Sequence, residues 1–322
     1  MTATASPRRV ALAALVLVAW IGGSVLGAAE PRHASAAPLF QIERAHAEFV
    51  PVLDGSEPIF VLVLGSDARP HQEVMAERTD SIHIVAINPS KQKASIVGIP
   101  RDSYVSIPGF GTNKINAALS MGGPELVVET VEALTGITFD YWAITGFAGF
   151  ETMVDEVGGL VVDVPFAMSD EASEAFFDPG VQRLSGAEAL GFGRNRHDLP
   201  SGDFGRSENQ GILLISALTQ FNKEFTKDPS RMLAWIASFM RNSESSLPLD
   251  QLMDLAFTGT AISPKHVVNA VLPGGTAMIN GLSVVQLNTA TLDAVSADLR
   301  NDGILRPANV PPSPNASLTG GS

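Results

Sequence analysis

The apolar run from Ile59 to Leu64 places the strongest constraint on the fold. Its six residues include no polar side chain, and a glycine follows directly. A strand without alternating polarity buries both of its faces, so other elements must pack on each side of it. Two more apolar runs, 82–87 and 94–99, flank an Asn-Pro-Ser-Lys turn sequence and predict a hairpin. A sheet covered on both faces is therefore expected.

Helical patterns alternate with strands further along the chain. Pro124 begins a predicted helix that ends at about Leu134, just before a glycine. The later predicted segments are strands at 141–145, 160–164 and 267–272 and helices at 147–157, 204–221, 231–240, 249–257 and 284–299. The hairpin is antiparallel, whereas the crossover from the strand at 141–145 to that at 160–164 should be parallel. This order predicts an α/β fold, an α-β-α sandwich with a central mixed sheet.

The amino terminus indicates where the chain resides. An apolar run at 10–29 follows Arg8 and Arg9, and about 20 apolar residues are enough to cross a bilayer as a helix. The two arginines favour a cytoplasmic position for the short end, which leaves the remainder outside. A cleaved signal peptide is the alternative, although its apolar region usually spans only about 7–15 residues. We therefore expect one N-terminal transmembrane helix in the cell membrane.

Composition sets the boundaries for the rest of the chain. Residues 1–9 are expected to be cytoplasmic, 10–29 to be the anchor, 30–57 a linker, 58–300 the folded domain, and 301–322 a disordered tail rich in Pro, Asn, Ser and Gly. The net charge of -13 disfavours nucleic acid as a partner. Cysteine is absent, so a metal must bind to oxygen or imidazole ligands.

Charged residues stand at the ends of three predicted strands. They are Asp67 and Arg69 after the first, Arg78 and Asp80 before the second, and Arg101 and Asp102 after the third. The antiparallel hairpin should bring the second and third groups together at one edge. Mg²⁺-assisted diphosphate chemistry requires carboxylate oxygens to bind the ion and planar guanidinium groups to bind the phosphate oxygens. A turn or helix cap at Asp67, and solvated strand ends elsewhere, are the alternative interpretation.

A further charged cluster follows the 160–164 strand. It comprises Arg194-Asn195-Arg196-His197-Asp198, Asp203-Phe204-Gly205-Arg206 and Gln210. In an extended stretch Arg194 and Arg196 would point to the same side and could clamp a diphosphate. Arg206 and Gln210 are four residues apart, hence on one face of a helix whose first amides favour an anion. The alternative is a surface ion-pair network with Asp198 and Asp203.

Several separated motifs occur in the order and spacing typical of one family. They are Gly65-Ser66-Asp67-Ala68-Arg69, Arg78-Thr79-Asp80-Ser81, Ile99-Pro100-Arg101-Asp102, Lys114-Ile115-Asn116 and Arg194-x-Arg196-x₆-Asp203-x-Gly205-Arg206-x₃-Gln210. On these motifs, residues 58–222 resemble the LytR-CpsA-Psr (LCP) domain, in which a short cytoplasmic end and a single anchor precede an external domain. Asn209 departs from the family pattern, because many relatives carry Arg before the Gln. That departure puts one phosphate contact in doubt.

The resemblance implies a role for each matching residue. Asp67 and Asp80 match the metal-binding carboxylates, with Mg²⁺ as the cofactor. The arginines that match diphosphate-binding positions are Arg78, Arg101, Arg194, Arg196 and Arg206. The remaining substrate-binding candidates are Arg69, Lys114, Asn116, Asp203 and Gln210. The general base is left open between Asp67 and Asp80, with His197 as a weaker candidate.

The resemblance also implies a function. An extracytoplasmic enzyme of this type transfers a glycopolymer from a polyprenyl diphosphate carrier to a cell-wall acceptor such as peptidoglycan. The apolar helices at 124–134 and 211–240 could line a lipid tunnel, or simply supply core. Two alternatives remain open, a polyprenyl diphosphate pyrophosphatase and a non-catalytic module that binds or regulates lipid-linked glycan.

Overall fold

The structure is a computed structural model that describes residues 40–44, 57–69, 72–245 and 249–319. The strands are β1 (Phe40–Arg44), β2 (Ile59–Ser66), β3 (Thr79–Asn88), β4 (Lys93–Gly98), β5 (Tyr104–Ile107), β6 (Gly111–Lys114), β7 (Tyr141–Thr145), β8 (Leu160–Val164), β9 (Met168–Asp170), β10 (Ala175–Phe177), β11 (Gly180–Leu184), β12 (Ser243–Ser245), β13 (Val267–Val271), β14 (Gly274–Ile279) and β15 (Leu282–Leu287). The helices are α1 (Ala117–Thr135), α2 (Phe147–Glu156), α3 (Gly186–Arg194), α4 (Asp203–Lys227), α5 (Arg231–Arg241), α6 (Leu249–Thr260), α7 (Thr289–Asp302) and α8 (Ala316–Thr319).

A seven-stranded mixed sheet forms the centre, in the order β12-β1-β7-β2-β3-β4-β13. The predicted hairpin is present, since β2, β3 and β4 pair antiparallel in succession. Parallel pairs join β2 to β7 and β4 to β13. The prediction of a mixed central sheet is confirmed.

Helices cover both faces of this sheet. Phe60, Leu62 and Leu64 alternate along β2 toward a core that includes Val131 of α1 and Leu299 of α7. The intervening residues of β2 face a second core, which receives side chains from α2, α5 and α6. The α-β-α sandwich is therefore also confirmed, and its cause is the two-sided burial of β2.

The crossover differs from the prediction. Strand β8 lies outside the central sheet and pairs antiparallel with β11, from Leu160 opposite Leu184 to Val164 opposite Gly180. Its buried side chains pack with those of α3 and α4 in a separate core. The parallel partner of β7 is instead β2, from which it is separated in the chain by strands β3 to β6 and helix α1.

The helix predicted at 284–299 is also corrected. Residues 282–287 form β15, which pairs with β14, and α7 begins only at Thr289. Asn280 and Gly281 connect the two strands, both with positive φ, 50° and 79°. An Asn-Gly pair between β-branched runs is a strong hairpin signal, because both residues tolerate the left-handed region.

Two segments assigned to irregular structure are ordered. Residues 40–44, within the predicted linker, form strand β1 between β7 and β12. The tail predicted to be disordered from residue 301 packs against the domain as far as residue 319, and Asn315 is only 2% exposed. The composition of the tail indicated disorder because composition does not reveal tertiary contacts, such as the hydrogen bond from Asn315 to the distant carbonyl oxygen of Gly205.

The predicted anchor at 10–29 lies outside the described residues. Within the part of the chain that the structure describes, no helix has both the length and the hydropathy needed to cross a membrane.

Buried His83 joins the sheet to α4. Its Nε2 lies 3.0 Å from the carbonyl oxygen of Ser207, and its Nδ1 lies 3.0 Å from Oγ of Ser81. A carbonyl can only accept, so Nε2 carries the hydrogen, and the neutral ring accepts from Ser81 at Nδ1. Burial lowers the pKa of His83 to about 4, although the bond to Ser207 opposes this shift. The histidine is therefore neutral in the folded protein at neutral pH.

This histidine should make stability depend on pH. An unfolded histidine titrates near pH ~6.5, so between that value and about 4 the unfolded chain binds more protons than the folded protein. The contribution of neutral His83 to the free energy of unfolding is fully present above the unfolded pKa and declines as the pH falls below it. At about pH 5 the loss is ~2 kcal/mol. Urea unfolding near pH 7 and pH 5 should show this loss reduced in His83→Gln. The exposed His266→Gln is the matched control, and an equal pH dependence in both variants would contradict the assignment.

Candidate active site

The site forms where β2 ends and β3 begins. The ladder shifts at a bulge, so that Ser66 lies opposite Thr79. Beyond it, the N–H of Asp67 donates to the carbonyl oxygen of Arg78 at 3.0 Å, and the N–H of Arg78 donates to Oδ1 of Asp67 at 2.9 Å. Asp80 directly follows Thr79. Both predicted metal ligands therefore lie at the same end of two neighbouring strands.

Asp80, Arg101, Asp203 and Arg206 form what we call the acid–arginine cluster. Asp80 is hydrogen-bonded to Arg101 and lies 3.9 Å from Nη1 of Arg206. Asp203 Oδ1 lies 2.5 Å from Nη2 of Arg206 and 3.5 Å from Nε of Arg101. Each carboxylate thus contacts both guanidinium groups. The cluster joins the start of β3, the segment after β4 and the first turn of α4.

Burial makes this cluster unusual in its electrostatics. The side chain of Arg206 is only 5% exposed, and burial lowers its pKa against the opposing charges of Asp203 and Asp80. Burial would also lower the pKa of Arg101, but Asp80 and Asp203 outweigh it and raise that pKa above its ordinary value. Arginine stays protonated in proteins, so both cations persist at neutral pH. The cluster is a pair of acids balanced by a pair of cations.

Gln210 and Arg194 lie close to Asp80, since all three residues line one cavity. Nε2 of Gln210 donates to the carbonyl oxygens of Asp80, at 3.4 Å, and Gly193, at 3.1 Å. The guanidinium of Arg194 lies 4.9 Å from the centre of the Phe147 ring, a cation–π contact. Gln210 therefore ties α4 to both β3 and the end of α3.

The geometry predicted for Arg194 and Arg196 is wrong in one respect. Arg194 is the last residue of α3, and Asn195 caps that helix, so the stretch is not extended. A capping box at Ser185 and Glu188 fixes where α3 begins. Arg196 is nevertheless close enough to the cluster for its positive charge to add to the lowering of the pKa of Arg206 by burial.

Asp170 organises the loop after α3 and was missed in the sequence. It is 3% exposed and accepts hydrogen bonds from the backbone N–H groups of Arg196 and His197, both at 3.2 Å. Burial would raise the pKa of Asp170, but these bonds outweigh it and hold the pKa well below its usual range. The ring of His197 lies 3.1 Å from the same carboxylate. A single Asp in a polar loop gives no signal for this role.

The remaining predicted residues surround the cluster. Lys114 Nζ lies 3.1 Å from Oδ1 of Asp102. Buried Asn116 accepts the N–H of Thr79 at 3.3 Å with its carbonyl oxygen and donates its own N–H to Arg101 at 3.1 Å. Arg69 and Arg78 are exposed at the rim.

Asn209 lies inside the protein rather than at the site. It is fully buried, and its Nδ2 lies 3.5 Å from the carbonyl oxygen of Phe192 in α3. The residue that departs from the family pattern therefore packs between α3 and α4 instead of reaching a phosphate. Asp198 is also directed elsewhere, since its Oδ2 accepts the N–H of Ser169 at 2.7 Å.

An apolar cavity of about 370 Å³ opens beside the cluster. Asp80, Arg194 and Gln210 supply polar groups to its lining, and most of the remainder is apolar, including Phe147, Phe150, Met153, Leu213, Trp235 and Phe239. Helices α2, α3, α4 and α5 contribute to the wall. Of the two apolar segments considered for a tunnel, 211–240 lines this cavity, whereas 124–134 packs in the core on the opposite face.

The acids at the strand ends suit a magnesium ion that shares a substrate. Among the described residues, no group of three or more Asp, Glu, His or Cys is arranged to hold a metal by itself. Mg²⁺ is commonly bound through one or two carboxylates, with phosphate oxygens and water as its other ligands. Asp67 and Asp80, at adjacent strand ends, fit that donor set.

An apolar cavity whose lining includes Arg194 and Asp80 has the chemistry to accept a ligand with a hydrocarbon tail and an anionic head. A family model described as the LytR_cpsA_psr family matches residues 32–301. The chain belongs to this family.

Relatives with curated names agree with this assignment. The polyisoprenyl-teichoic acid–peptidoglycan teichoic acid transferase TagU of Bacillus subtilis is 30% identical over 260 residues, 77% of this chain and 79% of that protein. The regulatory protein MsrR of Staphylococcus aureus is 41% identical over 154 residues, 47% of this chain and 46% of that protein.

Solved structures have the same architecture. TagV of B. subtilis superposes with a TM-score of 0.67 at 26% identity, covering 78% of this chain and 99% of that one. TagT (YwtF) with bound octaprenyl pyrophosphate superposes with a TM-score of 0.61 at 26% identity, covering 80% and 94% of the two chains.

The ion pairs of Arg206 predict that the stability of the folded protein depends on Asp203. Asp203→Asn should lower the free energy of unfolding by about 3 kcal/mol, because it leaves buried Arg206 with one distant counter-charge. Asp102→Asn is the matched control, since its pair with Lys114 is more exposed, and should cost under ~1 kcal/mol. Urea unfolding measures both. Equal losses would show that Asp203 does not compensate a buried charge.

Proposed function

We propose that this protein transfers a glycopolymer from a polyprenyl diphosphate carrier to a cell-wall acceptor such as peptidoglycan. The observation that carries the proposal is the apolar cavity whose lining includes Asp80, Arg194 and Gln210. The name of TagU and the lipid bound to TagT support the same reaction type by similarity.

The donor binds in two parts. Its prenyl chain occupies the apolar cavity, where burial contributes roughly 25 cal/mol for each Å² of hydrocarbon removed from water. Its diphosphate then lies at the charged end, within reach of Arg194 and the acid–arginine cluster. Planar guanidinium groups match phosphate oxygens, and the apolar wall strengthens this attraction by excluding water. Arg78 and Arg69 are exposed residues on either side of the segment that follows Asp67, and we assign them to the positive surroundings of the diphosphate.

The reaction exchanges the phosphoanhydride bond of the diphosphate for a phosphodiester bond. An acceptor hydroxyl oxygen bonds to the phosphorus that carries the glycan, the bond from that phosphorus to the bridging oxygen breaks, and prenyl phosphate leaves. Arg101, Arg194 and Arg206 stabilise the negative charge that grows on the phosphoryl oxygens. Bound Mg²⁺ would add positive charge at the same oxygens and polarise them.

The hydroxyl proton passes to a carboxylate in this proposal. Two guanidinium groups compete for the lone pairs of Asp80. Asp67 accepts a backbone N–H from Arg78 instead, so we assign Asp67 as the base. His197 is held by Asp170 on the outer side of the loop and is not assigned this role.

The location follows from the same proposal. A single span at 10–29 would hold the domain on the outer face of the cell membrane, where both the lipid carrier and the wall acceptor are accessible. A lipid-linked donor would then enter the cavity from the adjacent bilayer.

Transfer should depend on Arg194 and Asp67. With a prenyl diphosphate-linked glycan, peptidoglycan and Mg²⁺, Arg194→Ala and Asp67→Asn should each reduce kcat/KM by about 100-fold, because they remove charge stabilisation or the base. Lys91→Ala is the control, since Lys91 lies at the β3–β4 turn, the opposite end of these strands from the site. Glycan attached to peptidoglycan is measured, and EDTA should stop transfer until Mg²⁺ is added.

Other outcomes would identify the alternatives. Release of phosphate without glycan on peptidoglycan would favour the pyrophosphatase. Tight donor binding without turnover in the unaltered protein would favour the binding or regulatory module. Mass spectrometry of lipid retained after purification tests the cavity separately from the reaction.

A further inference from the structure

A second cavity of about 260 Å³ adjoins the acid–arginine cluster at Asp203. The start of α4 and the β14–β15 hairpin form its walls, together with Asp102. The N–H of Val285 donates to the carbonyl oxygen of Asp102 at 2.8 Å and fixes the hairpin beside the site. Asp203 lines this cavity and belongs to the cluster as well.

The two cavities differ in chemistry. The second cavity is lined by three hydroxyl-bearing residues, Ser201, Thr276 and Ser283, and by the acidic residues Asp102 and Asp203. Phe204 and two valines of β15 add apolar surface. A pyranose ring presents hydroxyls at its edge and C–H groups on its faces, and it matches such a mixture of acceptors, donors and apolar surface. A prenyl chain does not.

The cluster connects the two cavities. Asp80 lines the apolar cavity and Asp203 lines the polar one. Arg101 and Arg206 contact both of these acids, within 3.9 Å for every pair. A sugar in the second cavity would therefore place a hydroxyl beside the groups that hold the diphosphate.

We propose that this second cavity is a saccharide subsite that binds one pyranose ring of a glycan substrate. The inference rests on the proposed transfer function, since it identifies where that reaction takes its sugar. The ring could belong to the acceptor or to the first residue of the donor glycan, and kinetics distinguish these sources.

Direct binding provides the first test. Titrating an N-acetylglucosamine oligosaccharide into the intact protein should give a measurable Kd. The double variant Thr276→Val, Ser283→Ala should weaken it about tenfold, because two hydroxyl hydrogen bonds are lost with volume nearly conserved. Gln286→Ala, on the same hairpin but outside the cavity lining, is the matched control. No binding by the unaltered protein, or equal binding by the double variant, would overturn the proposal.

Steady-state kinetics then identify the source of the sugar. A raised KM for peptidoglycan in the double variant supports an acceptor subsite, and a raised KM for the donor supports a donor-sugar subsite. Unchanged values of both would overturn the proposal. Because oligosaccharide binding requires no turnover, failure of the transfer reaction would leave the binding result valid.

A separate observation concerns the carboxyl-terminal strap, residues 303–319, which lies beyond the family match at 32–301. Nδ2 of Asn315 donates to the carbonyl oxygen of Gly205 at 3.2 Å, and Ser201 Oγ donates to its Oδ1 at 3.0 Å. The N–H of Asn315 also donates to Oε2 of Glu208 at 3.2 Å. The buried side chain of Asn315 therefore contacts Ser201, which precedes Asp203 in the sequence, and Gly205, which follows it.

We infer that Asn315 is a positioning residue, which holds the first turn of α4 so that Asp203 and Arg206 face the substrate. The inference presumes the proposed transfer reaction. A β-carbon at Gly205 would lie 2.3 Å from Oδ1 of Asn315, so the strap and the helix start are in close contact.

Asn315→Ala should lower kcat by about tenfold in the transfer assay and leave KM for the donor unchanged, because the lipid cavity is not altered. Asn315→Asp keeps the acceptor for Ser201 but buries a carboxylate against the carbonyl oxygen of Gly205, so it should lower kcat at least as much as Asn315→Ala. Asn309→Ala is the matched control on the same strap, since Asn309 donates to Asp298 instead. Thermal unfolding is measured for each variant. Equal kcat in Asn315→Ala and Asn309→Ala would overturn the inference, whereas inactivity of the unaltered protein would point to failure of the proposed function.

Discussion

The buried ion pairs between Arg206, Arg101 and two acids are the interaction on which the rest of the site depends. Arg206 is 4% exposed, and an uncompensated charge at such a position would cost several kcal/mol. Its compensation comes from two separate places, Asp203 in its own helix and Asp80 at the start of β3. The helix, the hairpin and the segment after β4 therefore have to meet in one arrangement. The same pairs that satisfy the buried arginine orient the groups that face the substrate.

The cavity beside the cluster adds a second property. Aromatic and aliphatic side chains line it from α2 to α5, so the charges at its end lie against a surface of low polarity. Electrostatic attraction is stronger there than in water. One molecule with a hydrocarbon tail and a diphosphate head can use both properties, and a soluble anion can use only one. The site therefore selects an amphiphile by the adjacency of two surfaces rather than by a single specific contact.

Sequence patterns located the strands at the centre of the sheet, although the prediction of a helix at 284–299 overlooked the local turn signal of Asn280 and Gly281. The hairpin from β2 to β4 brought Asp67, Asp80 and Arg101 to one end of the sheet, as antiparallel pairing requires. The missing parts depend on contacts between distant segments. Asp170 fixes the loop after α3, and Asn315 fixes the start of α4, yet each is one polar residue in a polar stretch. Arg194 lies at the end of α3 because of the length of that helix. The residues around Arg194 contain no pattern that would predict where the helix ends.

The departure at Asn209 is consistent with the charge balance of the site. Burial lowers the pKa of Arg206, repulsion from Arg101 and Arg196 adds to this shift, and the two acids of the cluster are shared between the arginines. Position 209 is fully buried between α4 and α3, where Asn209 meets a backbone carbonyl. A guanidinium at this fully buried position would lose its hydration, and the contact present there offers it only a backbone carbonyl. A neutral amide avoids that cost. In the proposed reaction, the phosphate contacts are then left to arginines such as Arg194, which lines the cavity itself.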